Sequence, residues 1–197
     1  GTLAVGECLP AGRLIPLEGF ATLHDPHVWF DVGLWAAAVP CVAEALSELA
    51  PAHAGGYRAR ATAAAAELTD LDLWVKERTA LLPPERRVLV TAHDAFSYFG
   101  RAYGFEVRGL LGVSTAAEAG AADVQRLAEF IVARRVPAVF LETSVAPRFV
   151  GALREAVAAR GFAVVIGGSL YSDSLGDPGS DAGTYAGGGR ASVEPMV

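Results

Sequence analysis

Apolar residues follow two different spacings along this chain, and the change from one to the other organises it. Trp35, Val39, Val42, Leu46 and Leu49 recur at steps of four and three, the period of one helical face. Pro40 stands inside that stretch, so the helix either kinks there or begins there with Pro40 in its first turn. Pro51 and the pair Gly55-Gly56 break the pattern. Tyr57, Ala61, Ala64, Leu68, Leu71 and Val75 then resume it as far as Leu82. At about 1.5 Å of rise per residue, a helix from Tyr57 to Ala80 spans about 35 Å, enough to act as a strut.

Beyond Arg87 the period changes. Val88 to Ala92 is a short apolar run suited to a buried parallel strand, and Phe105 to Leu111 is a weaker one. Asp123 to Val132 has helical periodicity, and Pro137 precedes a strand over Ala138 to Leu141. Pro147 to Arg160 reads as a helix with Val150, Leu153 and Val157 on one face and Gly161 as its stop. Phe162 to Ile166 reads as the next strand. Alternating strands and helices imply right-handed crossovers and one parallel sheet covered by helices. The predicted fold class is α/β, a long helix followed by a parallel β-sheet flanked by helices.

Composition narrows the picture. The 197 residues are 52% hydrophobic and 19% charged, with a net charge of -6, as expected for a globular chain with a real core. No Lys/Arg cluster and no aromatic stacking platform is present, which argues against a nucleic-acid partner. No uninterrupted apolar run reaches the roughly 18 residues of a membrane helix, so the chain reads as soluble. The residues shown contain no signal peptide, and any such segment is expected upstream. Cys8 and Cys41 are too few for a disulfide scaffold or a thiolate metal cage. They can bond to each other, but nothing in the sequence calls for it.

Candidate chemistry sits where the pattern places strand ends. His24-Asp25-Pro26-His27-Val28-Trp29-Phe30-Asp31 puts two imidazoles around a proline-stiffened turn, and imidazole is a common ligand for zinc, manganese and iron. The same turn also fits a structural role, with Asp25 as a helix cap and His27 as a half-buried polar residue. In open parallel sheets ligands bind beyond the carboxyl ends of strands. His93 follows the strand Val88 to Ala92, Glu142 ends Ala138 to Leu141, and Asp173 lies in the loop after the last strand. Neutral imidazoles with a carboxylate suit Mn²⁺, Fe²⁺ or Zn²⁺ better than Ca²⁺ or Mg²⁺. Plainer roles stay open: a strand-end hydrogen bond for His93, a turn for Asp173, and for Glu142 either a cap on the next helix or a hold on a histidine.

Five segments together carry a resemblance. Leu23 to Asp31, Val90 to Phe99 (VTAHDAFSYF), Gly112 to Ala119 (GVSTAAEA), Phe140 to Val145 (FLETSV) and Tyr171 to Gly176 (YSDSLG) resemble, in order, the TroA-like solute receptors of bacterial ABC importers for zinc and manganese. The resemblance implies two α/β lobes joined by a long helix, with one metal held between them by four side chains. Three of those map to His27, His93 and Asp173. The fourth, an N-lobe histidine, has no counterpart here, since His24 and His53 stand in other contexts. The resemblance therefore implies a C-terminal portion: residues 1–31 a remnant of the N-terminal lobe and inter-lobe segment, 32–86 a helical stem, 87–185 the C-terminal α/β lobe, and 186–197 a loose tail without a helical stripe.

The implied task is capture of zinc or manganese and delivery to an ABC permease by a monomeric, non-enzymatic receptor, periplasmic or anchored at the outer face of a membrane. His at position 93 in place of a second carboxylate tilts the site toward zinc without excluding manganese, and protonation of imidazole, at a pKa of about 6.5, should weaken binding in acid. Two rival readings remain: a metal-dependent hydrolase with His27, His93 and Asp173 as ligands and Glu142 as base, and a fragment that no longer binds metal.

Overall fold

The computed structural model describes residues 2–17, 20, 22–115 and 119–197, and the chain divides into two compact units. The first comprises Gly1–Glu77 with Ser97–Ala102, the second Arg78–Phe96 with Tyr103–Val197. Part of the motif Gly112 to Ala119, residues 116–118, lies outside the described residues.

The first unit is helical. Short 3-10 turns at Val5–Cys8, Ala11–Arg13 and Val28–Phe30 lead into α1 (Val32–Ala36) and α2 (Val39–Leu49). Asp31 starts α1 by accepting the Leu34 backbone N–H on its carboxylate at 2.8 Å, which satisfies one of the orphan donors at a helix start. Pro40 falls in the first turn of α2, where its missing N–H costs nothing; of the two options the sequence left open, the helix begins there. The predicted strut is α3, a continuous helix over Ala54–Thr79 of 26 residues, about 39 Å long. Leu68, Leu71 and Val75 on its apolar stripe are buried.

A small core of Leu9, Val28, Leu34, Ala38 and Tyr98 closes the unit. The two cysteines are bonded: Cys8 and Cys41 form a disulfide with Cα atoms 5.9 Å apart. Sequence spacing held no hint of it, because the pairing depends on the turn Val5–Cys8 packing beside α2. The expectation about apolar length also needs correction. Val32–Leu49 is 18 residues long with mean hydropathy 1.4, enough to cross a membrane by length and composition alone. Counting uninterrupted runs overlooked it because Glu44 and Glu48 interrupt an otherwise apolar stretch. In the fold this stretch is two helices, with Leu34, Ala38 and Ala43 buried.

The second unit carries the strands. β1 (Val88–His93) pairs in parallel with β2 (Glu106–Leu111), and β3 (Ala138–Glu142) pairs in parallel with β4 (Val165–Leu170). The expected single sheet is thus drawn as two two-stranded ladders whose strands β1 and β3 run side by side. α4 (Ser97–Tyr103) lies between β1 and β2 in the chain, and α5 (Ala121–Arg134) and α6 (Arg148–Ala158) pack together. Val90, Leu110, Ile131, Val139, Leu153 and Val157 belong to one core, each fully buried apolar side chain contributing about 1.5–3 kcal/mol.

The last strand was misplaced by the apolar run. Phe162 and Val164 pack onto the core as its lead-in, while the ladder runs on through Gly167 and Gly168 to Leu170. The glycine is required: a Cβ at Gly167 would stand 2.6 Å from the Phe140 ring. The loose tail is also corrected. Residues Tyr185–Val193 form α7, followed by a 3-10 turn at Glu194–Met196. The Thr184 hydroxyl caps it by accepting the Gly187 N–H at 3.1 Å, Val193 and Met196 are buried, and Glu194 pairs with Arg78 at 2.6 Å. Burial and a cap outweigh the poor helix propensity of three glycines.

The disulfide closes a separation of 33 residues, and loop-closure entropy assigns it about 3–4 kcal/mol. All three tryptophans lie in the first unit, so fluorescence reports on that unit. A Cys8→Ser/Cys41→Ser protein should show its tryptophan transition in urea at lower concentration by a stability loss of about that size, and an unmoved midpoint would refute the role.

Candidate metal centre

In the second unit the carboxyl ends of β1 and β3 meet through His93 and Glu142, on the kind of edge where ligands bind in open parallel sheets. His93 is the last residue of β1 and is fully buried; Glu142 is the last residue of β3 and 3% exposed. The His93 backbone N–H donates to Glu142 Oε1 at 2.7 Å, and His93 Nδ1 lies 2.5 Å from Glu142 Oε2. One carboxylate thus holds both the main chain and the ring of one histidine. On the other side of the ring, Nε2 is 3.4 Å from Asp173 Oδ2.

Close backbone packing fixes this strand end. A Cβ at Gly109 on β2 would stand 2.6 Å from the His93 carbonyl carbon, so only glycine lets β2 approach there. The Thr91 hydroxyl donates to the His93 carbonyl at 2.8 Å, and the Asp94 N–H donates to the Leu111 carbonyl at 3.1 Å. The loop bearing Asp173 is pinned at the two residues just before it. The Tyr171 N–H donates to Ser192 Oγ on α7 at 3.0 Å, and the Ser172 and Ser144 hydroxyls share a hydrogen bond of 2.8 Å. Sequence reading missed Ser192 because it lies in the segment taken as a tail.

Burial disfavours a charged imidazole at His93. Its hydrogen bond with Glu142 and the charges of Glu142, Asp173 and Asp94 outweigh that cost and hold the ring above its ordinary pKa.

His27 belongs to the first unit. It follows Asp25 and Pro26 and opens the turn Val28–Phe30. Asp25 Oδ1 accepts the His27 N–H at 2.9 Å and lies 2.7 Å from Nδ1. Both residues are 3% exposed, and the Trp29 ring meets the imidazole edge-on at 5.3 Å. Asp25 is therefore an organiser of the turn rather than the helix cap its position suggested. His24 is exposed and sits in an isolated antiparallel bridge with Pro16.

The two histidines are prepared alike within their own units. Each has a carboxylate at Nδ1, which fixes the ring and favours the tautomer that leaves the Nε2 lone pair available to a metal. At His93 that nitrogen faces a further carboxylate, an N,O donor pair suited to a divalent transition metal. Glu142 does not cap α6, which begins at Arg148; its two oxygens lie against the His93 N–H and Nδ1.

The chain is 50% identical over 195 residues to the zinc-binding protein TroA of Treponema pallidum, covering 99% of this chain and 63% of that protein. It is 43% identical over 194 residues to the manganese-binding lipoprotein MntA of Bacillus subtilis, covering 98% of this chain and again 63% of the relative. The chain therefore spans less than two thirds of the length of these curated relatives. The solved periplasmic zinc-binding protein TroA from Treponema pallidum superposes with a TM-score of 0.95 at 49% identity, covering 98% of this chain and 69% of that one. The profile of the family described as ZnuA, zinc-uptake complex component A, periplasmic, matches residues 6–197, and this chain belongs to that family.

Proposed function

We propose that this chain captures a divalent transition metal, zinc or manganese, as cargo through His27, His93 and Asp173 and delivers it to the permease of an ABC importer. The observation that carries the reading is the arrangement at His93: a buried imidazole held at Nδ1 by Glu142, with Nε2 turned to the Asp173 carboxylate. His27, held by Asp25 in the same manner, supplies the second imidazole. The relatives named as zinc-binding and manganese-binding support a metal as the cargo. The compartment proposed is outside the cytoplasm, in the periplasm or at a membrane surface. Relatives named periplasmic and lipoprotein support it, and so does the Cys8–Cys41 disulfide, which persists in an oxidising compartment.

Isothermal titration of the chain with zinc and with manganese at neutral pH tests the reading directly. His93→Ala and His27→Ala should each lower affinity on the order of a hundredfold, since each removes a ligand nitrogen; unchanged affinity in either would remove that residue from the site. Glu142→Gln keeps the shape of the side chain but weakens its hold on Nδ1, and should lower affinity by roughly ten- to a hundredfold.

The pH dependence has a definite sign. A metal takes the neutral imidazole, and the His93 pKa is raised in the folded protein. Proton competition should therefore begin above pH of about 6.5, the ordinary histidine value, and affinity should fall as pH drops through that range. The metal-free protein behaves oppositely: the protonated His93 contributes stability that is fully present below the unfolded pKa and is lost as pH rises through the folded one. Titrations and melting curves from pH 5 to 8 check both slopes, and a flat affinity profile would overturn the assignment of His93.

A further inference from the structure

We infer that Tyr98 is a positioning residue for His27, acting through Asp25; the inference rests on the reading of His27 as a ligand. Asp25 sets the His27 ring with its side chain, so whatever fixes the Asp25 backbone also fixes the direction of Nε2. That backbone belongs to a short antiparallel pairing in which Pro16 bridges His24 and the Leu17 N–H donates to the Leu23 carbonyl at 2.9 Å. One rung continues it: the Asp25 N–H donates to the Ile15 carbonyl at 2.9 Å. The reciprocal rung is replaced by a side chain. The Ile15 N–H donates to the Tyr98 hydroxyl at 2.9 Å, and that hydroxyl donates to the Asp25 carbonyl at 3.1 Å.

A phenol inserted between a donor and an acceptor completes the ladder only while it stays protonated and in register. Tyr98 is fully buried; its ring packs in the core with Leu9, Val28, Leu34 and Ala38, and Arg101 lies 4.9 Å over its face. Burial raises the pKa of the hydroxyl, so it remains a donor. Among the described residues between Ile15 and Asp25, Phe20 and Leu23 are more than half exposed. A hydroxyl anchored in the core is what ties the Asp25 end down. Residue 98 had no such role legible in the sequence, because neither its partner at 15 nor that at 25 is near it in the chain.

Tyr98→Phe removes one oxygen and leaves the ring in place. The full chain should keep its far-ultraviolet circular dichroism while zinc affinity at neutral pH drops about tenfold, the lower end of what partners behind a ligand contribute. The discriminating measurement is a double-mutant cycle with His27→Ala. If Tyr98 acts through His27, the Tyr98→Phe penalty vanishes once His27 is gone. A penalty of the same size in both backgrounds, or no penalty in the parent, overturns the inference while leaving His27 as a ligand. Should His27→Ala itself leave zinc affinity unchanged, the reading of the site fails and the inference falls with it.

Discussion

One carboxylate organises the strand-end site. Glu142 stands at the end of β3 and reaches His93 at the end of β1 with both oxygens, one on the main-chain N–H and one at Nδ1. Neither residue would be stable there alone. A buried imidazole without a partner leaves polar nitrogens unsatisfied, and a buried carboxylate without donors is costlier still. Each meets the other's requirement, and the geometry demands that the carboxyl ends of the two strands meet. That condition propagates outward: the alternating strands and helices, the glycine at 109 that lets β2 press against His93, and the glycine at 167 that makes room for the Phe140 ring on β3 all serve the alignment of two strand ends.

The first unit solves the same problem with a turn rather than a sheet. Asp25 and His27 are near neighbours, so the carboxylate-to-Nδ1 contact is local and needs only that the turn be held. Pro26 stiffens it from within, and the Tyr98 hydroxyl holds it from the core. A strand-end histidine inherits its rigidity from the core, whereas a turn histidine needs a tether of its own.

Much of this was legible in the sequence, and for identifiable reasons. Val88 to Ala92 and Ala138 to Leu141 are dense apolar runs ending in a polar residue, and such runs are buried strands whose ends face the ligand side; His93 and Glu142 followed from that alone. The α3 stripe was clear because nothing interrupts it for about five turns from Tyr57 to Val75, although the helix itself begins at Ala54 and takes in Gly55 and Gly56. Other features depend on contacts between distant residues. The Cys8–Cys41 bond requires a turn to lie beside a helix. The ladder through Gly167 and Gly168 looked like a break because strand propensity penalises glycine, and only the position of Phe140 explains it. α7 was unreadable from its glycines, since its stability comes from a cap and from burying Val193 and Met196, and with it went Ser192 and the anchoring of the Asp173 loop.

The raised pKa of His93 and the proposed affinity for a cation are two expressions of one electrostatic condition. Glu142, Asp173 and Asp94 all act on the ring, and their influence exceeds the cost of burying a charge. Glu142 and Asp173 stand at the two nitrogens of that one ring, 2.5 and 3.4 Å away. Such an arrangement favours positive charge placed among its members. A proton on His93 is the smallest way to supply it. A divalent cation at Nε2 and the Asp173 oxygen supplies twice as much and needs the same nitrogen lone pair, so proton and metal exclude each other at one atom while answering the same field. The electrostatics that would make this a strong metal site in neutral solution thus make it acid-sensitive, and no separate switch is needed to connect binding with pH.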